Sequence, residues 1–318
     1  MRTSASVPAG PAVPAAESSR GVAAATPGSA APVPRRRRGA GPILGLAPFA
    51  LYILLFLVVP TVIAVFSGFF TSTGAFTLDN LAALGDPVVL ETFGSSFWVS
   101  LVTAAGGALI GALACLALAS FPAESRLRTF VDAVSGVLAQ FGGVMLAFAF
   151  IATIGTQGLI TVALRDVFGL DIFAGGMWLY QVPGLILPYL YFQVPLMILT
   201  FMPALSGLKA SWVEANATLG GTSLNFWRRV GIPVLAPAFA GGFLLLFANA
   251  FSAYATAAAL ISQGAQIVPL QIRAALISDT VLGRENLAGA LAFGMIIVMI
   301  VLMIAYSALQ ARTQRWQR

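Results

Sequence analysis

Apolar residues along this chain fall into six long stretches that contain no charged side chain. Each stretch is at least 26 residues long, and together they cover 39–78, 92–123, 133–164, 172–208, 230–272 and 286–311. A helix crosses a bilayer with about 20 apolar residues, so each stretch has room for one crossing. We therefore predict an all-α integral membrane protein with six transmembrane helices. The predicted spans lie near 43–67, 95–119, 133–156, 182–204, 238–261 and 287–308.

The composition supports this class of protein. The chain is 59% hydrophobic and 9% charged, whereas soluble globular domains carry about 25% charged residues. Before the spans, residues 1–38 are predicted to form a disordered tail, because most of it is rich in Ala, Pro, Ser and Gly and has no hydrophobic period. The six spans fill 39–311, and 312–318 form a short basic tail.

The basic residues predict the orientation of the chain in the membrane. Six spans return the chain to its starting side, and if that side is the cytoplasm, 14 of the 17 basic residues lie inside. This asymmetry is the one that the positive-inside rule describes, so both termini are predicted to be cytoplasmic. The run Arg35–Arg38 could also bind nucleic acid, but its place directly before the first span favours an orienting signal near anionic lipid.

No motif in the chain supports an enzyme. The phosphate-binding pattern GxxxxGK[ST] is absent, and the only lysine is Lys209. The chain has no histidine, and its one cysteine, Cys115, cannot form an intramolecular disulfide. We therefore expect no catalytic residue, no metal site and no cofactor bound by this chain.

The segment 209–233 is the one substantial charged interruption on the predicted cytoplasmic side. Ser211 followed by Glu214 matches a capping box, which predicts the start of a short helix. Gly220 and Gly221 are predicted to end this helix, because glycine readily adopts the left-handed conformation that helix C-termini often need.

This short helix is predicted to carry an exposed apolar ridge. Trp212, Ala215 and Leu219 fall on one face at helical spacing. The Thr-Ser pair at 222–223 is predicted to cap a second short helix, and Pro233 to mark a turn into the next span. Such an element could dock another protein, or it could be an amphipathic connector lying on the membrane surface.

The same segment resembles the EAA loop of ABC importer permeases. That pattern is Glu-Ala-Ala, three residues, Gly, nine residues, and Ile-x-Leu-Pro; here Glu214, Ala215 and Gly220 are followed by Val230-Gly231-Ile232-Pro233. Asn216 replaces the third-position alanine, and the last block has Val and Ile in place of Ile and Leu. The spacing is intact over 20 residues, so the chain is similar to a permease subunit of a type I ABC importer over roughly 43–308.

This resemblance implies an architecture and a set of partners. A cytoplasmic coupling helix would lie between spans 4 and 5, and separate ABC ATPase subunits would bind it and hold the ATP and Mg. A second permease subunit, identical or a sibling, would complete the path, and an extracytoplasmic solute-binding protein would deliver the solute. The setting would be a bacterial cell membrane, with the lipid bilayer around the spans and no nucleic acid. The residues that the resemblance assigns to ATPase coupling are Trp212, Glu214, Ala215, Leu219, Gly220, Val230, Ile232 and Pro233.

Two further expectations concern the solute. The region from Phe251–Tyr254 through the last span resembles the polyamine branch of these permeases, which implies a polyamine or a related small molecule. Polar residues deep in a membrane are pointers to a translocation path. The candidates are Gln140, Gln193, Asn249, Ser252 and Tyr254, although each could instead bond to a neighbouring helix.

Other classes of membrane protein remain open at this stage. A channel or secondary carrier would work without an ATPase, and a membrane scaffold would carry no solute. Charged residues are missing from the middle of the predicted spans, which argues against a proton-coupled antiporter with a buried carboxylate relay.

Overall fold

The computed structural model of the chain describes residues 41–71, 73–122, 124–261, 267–277 and 286–315. The predicted disordered tail 1–38 lies outside these residues. The chain divides into two units, 1–52 and 53–318. The described residues form helices, turns and one isolated antiparallel bridge, which confirms the predicted all-α class.

Fourteen α-helices follow one another along the described residues. In chain order they are α1 (Gly41–Ile53), α2 (Val59–Ser67), α3 (Asp79–Ala82), α4 (Pro87–Ala119), α5 (Arg126–Gln140), α6 (Gly143–Ile154), α7 (Leu159–Phe168), α8 (Ile186–Ser206), α9 (Ala210–Thr218), α10 (Ser223–Phe226), α11 (Ile232–Phe251), α12 (Ala255–Leu260), α13 (Val268–Ile277) and α14 (Leu287–Arg315). Three short 3₁₀ turns and two π-helical segments connect some of them.

Six helical runs among the described residues are long and apolar enough to cross a membrane, which confirms the predicted number of spans. They cover Gly45–Ser67, Pro87–Ala119, Gly143–Phe168, Val182–Ser206, Ser223–Phe251 and Leu287–Ala308. The described part of the unit 1–52 is α1 without its last residue, and all other helices belong to the unit 53–318.

The third span differs from its predicted position. A continuous helix over 133–156 was expected, but α5 ends at Gln140 and α6 begins at Gly143. Gly143 has a φ of +74°, a left-handed conformation that interrupts a right-handed helix. Hydropathy does not detect this break, because the residues around it are apolar or small.

The fifth span also differs from the predicted 238–261. The helical run begins at Ser223, ends at Phe251, and resumes after a three-residue gap as α12. The hydroxyl of Ser252, at the end of α11, donates to the carbonyl of Ala248 at 2.8 Å. The stretches predicted as the third and fifth spans are therefore each interrupted, at 141–142 and at 252–254.

The predicted turn at Pro233 is wrong, because the helix continues through it. Pro233 lies in the first turn of α11, directly after the π-helical segment Trp227–Gly231. The first span repeats this arrangement, with the π-helical segment Leu54–Val58 followed by Pro60. A proline ring clashes with the carbonyl four residues earlier, and the wider π turn accommodates it within a continuous helix.

The core of the unit 53–318 forms where α8 packs against α4, α5 and α11. Gly107 and Gly111 of α4 allow the close approach to α8 that their GxxxG spacing predicts. A Cβ atom at Gly107 would lie 2.8 Å from Cβ of Gln193, and one at Gly111 would lie 2.5 Å from Cβ of Met197. The two helices therefore touch nearly backbone to backbone along this line.

A second close crossing joins α2 to α14. A Cβ atom at Gly68 would lie 2.5 Å from the amide nitrogen of Ala290, and one at Gly289 would meet the hydroxyl of Ser67. Next to this crossing, the side-chain amide of Asn286 donates to the carbonyl of Phe70 at 2.5 Å. Glycines thus fix the crossing of the first span with the last.

Candidate functional site: a coupling turn and a cavity at two helix breaks

The helix α9 stands where the coupling helix was predicted, but it is not started by a capping box. Lys209 is the N-cap residue, with an extended backbone (φ −77°, ψ 133°) and no side-chain cap. Ser211 is therefore already inside the helix, so the predicted Ser211–Glu214 capping box is wrong. A capping side chain must stand on the extended residue before the first turn, and here that residue is a lysine.

The end of α9 follows the prediction. Gly220 has a φ of +73°, and a Cβ atom added there would meet nothing within 4 Å. Glycine is therefore favoured at this position by the backbone conformation and not by a lack of space. Its amide donates to the carbonyl of Ala217 at 3.0 Å, and the amide of Gly221 donates to the carbonyl of Asn216 at 2.8 Å. These two bonds form a Schellman motif, which satisfies the last carbonyls of the helix.

The second short helix, α10, is capped as predicted and anchored to the span that follows. The hydroxyl of Thr222 accepts a hydrogen bond from the amide of Asn225 at 3.3 Å. Phe226 is buried, and a Cβ atom at Gly231 would lie 2.5 Å from Cε3 of the Trp227 ring. The indole therefore packs directly on Gly231. The helical run that begins with α10 at Ser223 continues past this contact to Phe251.

Apolar side chains on this turn are exposed. Leu219 is 87% exposed, Leu224 70% and Trp212 38%. Ala215 and Glu214 are also exposed, and Glu214 forms no ion pair within the described part of the chain. We call residues 209–227 the coupling turn, and its exposed apolar side chains, Trp212, Leu219 and Leu224, the apolar ridge.

The remaining predicted coupling residues lie at the join between the π-helical segment and α11. Val230 is half-buried, Ile232 is 59% exposed, and Pro233 is half-buried. They belong to the base of the fifth span and not to the ridge. The structure thus divides the predicted coupling set between the exposed turn and the helix that supports it.

A cavity of about 520 Å³ lies between the coupling turn and the ends of α4 and α8. Arg128, in the first turn of α5, donates from Nη2 to the hydroxyl of Ser206 at 2.5 Å, next to Val213 and Trp227. The start of α5, the end of α8 and the coupling turn therefore meet at one place.

A second cavity, of about 290 Å³, lies where the helix interruptions at 141–142 and 252–254 meet, and we call it the break cavity. It is lined by Ala139, Gln140, Gly142, Gly143, Phe192, Asn249, Ala253, Tyr254, Ala255 and Thr256. Three of the five predicted path residues, Gln140, Asn249 and Tyr254, are thus brought together from two spans. The other two lie elsewhere.

A hydrogen bond across the two breaks holds the break cavity in shape. The amide of Gly143, at the start of α6, donates to the buried hydroxyl of Thr256 in α12 at 2.9 Å. A Cβ atom at Gly143 would lie 3.5 Å from Cβ of Ala255, so the two helix starts are in contact. Thr256 therefore satisfies a backbone donor that the break at Gly143 leaves free.

The lining of the break cavity is polar but uncharged. The side-chain amides of Gln140 and Asn249 are exposed and have no hydrogen-bond partner among the described residues. Arg273 lies beside this lining, with its guanidinium carbon 5.9 Å from the centroid of the Tyr254 ring. This arrangement offers hydrogen bonds to a solute and contributes no carboxylate.

Gln193 and Ser252 have other surroundings. Gln193 is fully buried, and its Nε2 donates to the hydroxyl of Thr103 at 3.2 Å and to the carbonyl of Leu246 at 3.4 Å. Ser252 bonds back to its own helix. In this conformation, Gln193 ties α8 to α4 and α11, and the role of both residues in a path stays a prediction.

The sequence reasoning missed Thr256 and the part that Gly143 plays. Thr256 looked like an unremarkable residue in a run of alanines, because its partner lies 113 residues away. A Gly-Gly pair such as Gly142-Gly143 is as compatible with close helix packing as with a helix break, so it does not predict the break. Among the described residues there is no cluster of three or more His, Cys, Asp or Glu that could hold a metal ion.

Comparisons with known proteins cover 72–86% of this chain. No family model matches it. The chain is 25% identical over 230 residues to a probable sulfate transport system permease protein of Prototheca wickerhamii, covering 72% of this chain and 85% of that protein. It is 23% identical over 263 residues to a spermidine/putrescine transport system permease protein of Escherichia coli, covering 81% of this chain and 90% of that protein.

The fold is also found in a solved structure. A chain of a bacterial ABC transporter involved in the import of the acidic polysaccharide alginate matches with a TM-score of 0.70 and 14% identity. The match covers 86% of this chain and 96% of the other. Over most of its length the chain is thus similar to transmembrane permease proteins of transport systems, and it shares the fold of a chain of an ABC importer.

Proposed function

We propose that this chain forms part of the solute path of an ATP-driven importer and couples to separate ATPase subunits through the coupling turn. The observation that carries the proposal is the apolar ridge. Leu219 is 87% exposed on a turn whose backbone is fixed by two helix-terminal bonds. An exposed leucine on a rigid turn is suited to fill a pocket on another protein, and burying it would contribute about 1.5–3 kcal/mol.

The partners in this proposal are a second permease subunit, two ATPase subunits and an extracytoplasmic solute-binding protein. A solved alginate ABC transporter with this fold is in complex with a periplasmic protein that carries an alginate pentasaccharide. ATP and Mg would be held by the ATPase subunits, since this chain has no phosphate-binding motif. Its own contribution is the path and the mechanical contact.

The proposed setting is a bacterial cell membrane with both termini in the cytoplasm. The support is the distribution of the basic residues, of which 14 of 17 fall on one side of a six-span topology. The coupling turn, with Lys209, Arg228 and Arg229, lies on that same side. The ridge therefore faces the compartment that supplies ATP.

The proposed solute contact is the break cavity. Gln140 and Asn249 present free amides, and Tyr254 presents its phenol beside Arg273. The permease relatives are named for sulfate and for spermidine and putrescine. Because the lining described here has no carboxylate, we propose that it receives an anionic or neutral solute, and that the polyamine expected from the sequence is not favoured. Uptake measured with radiolabelled sulfate and with radiolabelled putrescine in the same cells separates the two.

The proposal as a whole is tested by purifying the tagged chain from its native membrane in a mild detergent and identifying what accompanies it. An ATPase subunit should be recovered with the wild-type chain. Gly220→Val should lose it, because a β-branched residue cannot adopt a φ of +73° without strain. Gly220→Asn is the matched control, since asparagine tolerates this conformation. A folded wild-type chain that brings no ATPase would contradict the proposal.

The alternatives are a channel or secondary carrier acting alone, and a scaffold. They make a different prediction for the purified chain in liposomes. A channel or carrier moves solute without any partner, whereas the permease proposed here moves none until the ATPase and ATP are added. A scaffold moves none under either condition.

A further inference from the structure

We propose that Asn216 is a positioning residue of the coupling turn, and that Gly221 is its structural counterpart. The carboxamide of Asn216 fixes α9 against α10, and Gly221 lacks a side chain so that this carboxamide has room. The inference rests on the proposed role of the coupling turn in contacting the ATPase. It concerns the one position where the chain departs from the Glu-Ala-Ala pattern. Asparagine at this position makes a bond that alanine could not make.

The backbone of the turn defines the problem that Asn216 solves. In a Schellman motif, an apolar contact usually joins the residue at C3 to the residue at C″. Here C3 is Asn216 and C″ is Gly221, as the 2.8 Å bond between their backbones establishes. Neither residue can supply that apolar contact, so the turn lacks its usual side-chain support.

A polar bond takes the place of the apolar contact. Nδ2 of Asn216 donates to the carbonyl of Thr222 at 3.2 Å. Thr222 is also the N-cap of α10, through its hydroxyl and the amide of Asn225. The last turn of α9 is therefore linked through Asn216 and Thr222 to the first turn of α10.

The space beside Gly221 shows that the two residues are complementary. A Cβ atom at Gly221 would lie 2.7 Å from Cγ and 2.8 Å from Nδ2 of Asn216. A methyl group there would displace the carboxamide and break its bond to Thr222. An alanine at position 216, as in the Glu-Ala-Ala pattern, would have neither the bond nor the clash.

This complementarity predicts a non-additive pair of substitutions. Asn216→Ala removes the bond directly, and Gly221→Ala removes it by displacing the carboxamide. Each should lower the amount of ATPase retained on the purified importer by about fivefold, the equivalent of one ordinary hydrogen bond. The double variant Asn216→Ala/Gly221→Ala should lose about fivefold in total and not about 25-fold, since the second change has nothing left to break.

Two further variants separate positioning from general stability. Asn216→Asp keeps the shape but lacks the N–H donor, so it should behave like Asn216→Ala. Thr218→Ala is the matched control, because the hydroxyl of Thr218 bonds only to Ala215 within its own helix, at 2.9 Å. All variants should share the wild-type melting temperature of the membrane domain, because the core around α8 is untouched.

Hydrogen-exchange mass spectrometry of the full chain gives a readout that needs no ATPase. Peptides covering 216–225 should exchange several-fold faster in Asn216→Ala and Gly221→Ala than in the wild type and in Thr218→Ala. Unchanged exchange, or additive losses in the double variant, would overturn the inference. If exchange changes as expected while the wild-type chain retains no ATPase, the positioning role of Asn216 stands and the proposed function fails.

Discussion

The coupling turn and the break cavity are both interruptions of helices, but they are built in opposite ways. The coupling turn is held by bonds within a few residues of sequence, from Asn216 to Asn225, and the side chains of its apolar ridge are exposed. The break cavity is held by a bond between Gly143 and Thr256, and its polar side chains point into a space between two spans.

This difference indicates what each region is suited to do. A turn that is rigid by itself can keep its shape while the spans around it move, so it suits a contact that must transmit motion. A cavity that depends on two spans changes shape whenever those spans shift relative to each other. We therefore propose that the coupling turn transmits force and that the break cavity contacts the solute.

The largest effect should come from placing a charge on the ridge. Leu219→Asp removes the apolar side chain that would be buried by the ATPase, a loss of about 1.5–3 kcal/mol, and adds the cost of desolvating a carboxylate. ATPase retention should fall by roughly 100-fold, while the melting temperature stays at the wild-type value because Leu219 is exposed. Leu219→Met should retain the ATPase, and a loss there as well would show that the ridge is not an apolar contact.

Substitution at the break cavity should have the opposite pattern of effects: it should lower the stability of the protein and leave ATPase retention unchanged. Thr256→Val leaves the half-buried amide of Gly143 without its acceptor, which should cost about 1 kcal/mol of unfolding free energy. Thermal unfolding in detergent measures this loss, and Thr256→Ser should restore most of it. Retention of the ATPase by the folded fraction should be unchanged, and a selective loss of retention would remove the distinction between the two regions.

A smaller effect is expected at the free amides. Gln140→Leu and Asn249→Leu remove groups that have no partner among the described residues. The free energy of unfolding should therefore stay within about 1 kcal/mol of the wild-type value. Solute uptake should show a KM raised by about two- to tenfold for each, the equivalent of one hydrogen bond. Unchanged uptake kinetics in both variants would move the path elsewhere.

The smallest effect is expected at Ser252, which the sequence placed in the same path. Its hydroxyl bonds to Ala248 within α11, so Ser252→Ala should change uptake by less than about twofold. A larger defect would indicate that the hydroxyl turns toward the solute in another conformation. This variant therefore tests whether Ser252 belongs to the part of the protein that contacts the solute.

The sequence predicted the number of spans because charge-free stretches long enough to cross a bilayer carry that information directly. It predicted the left-handed Gly220 and the cap at Thr222 because both depend on residues within one turn. It did not predict the breaks at Gly143 and after Phe251, since breaking a membrane helix requires partners for the freed backbone groups. The partner Thr256 is 113 residues from Gly143, and no local pattern records such a pairing.

The predicted capping box at Ser211 shows that a local pattern can match and still give the wrong helix start. Ser211 and Glu214 have the required residue types and spacing, but the helix begins one residue earlier, at Ala210. Element boundaries depend on the last turn of the preceding helix, which here ends at Ser206. Three of the five path candidates converged in one cavity because their helices meet, and this meeting is a property of the fold.

The most direct test of coupling is a site-specific cross-link in the native membrane. A photoreactive cysteine adduct at Leu219→Cys, in a chain whose buried Cys115 is replaced by alanine, places the probe on the ridge. The same probe at Val88→Cys, 62% exposed at the start of α4, is the control. Our account predicts a cross-link to an ATPase subunit from position 219 and none from position 88. An ATPase that accompanies the chain but cross-links equally from both positions, or from neither, would contradict it.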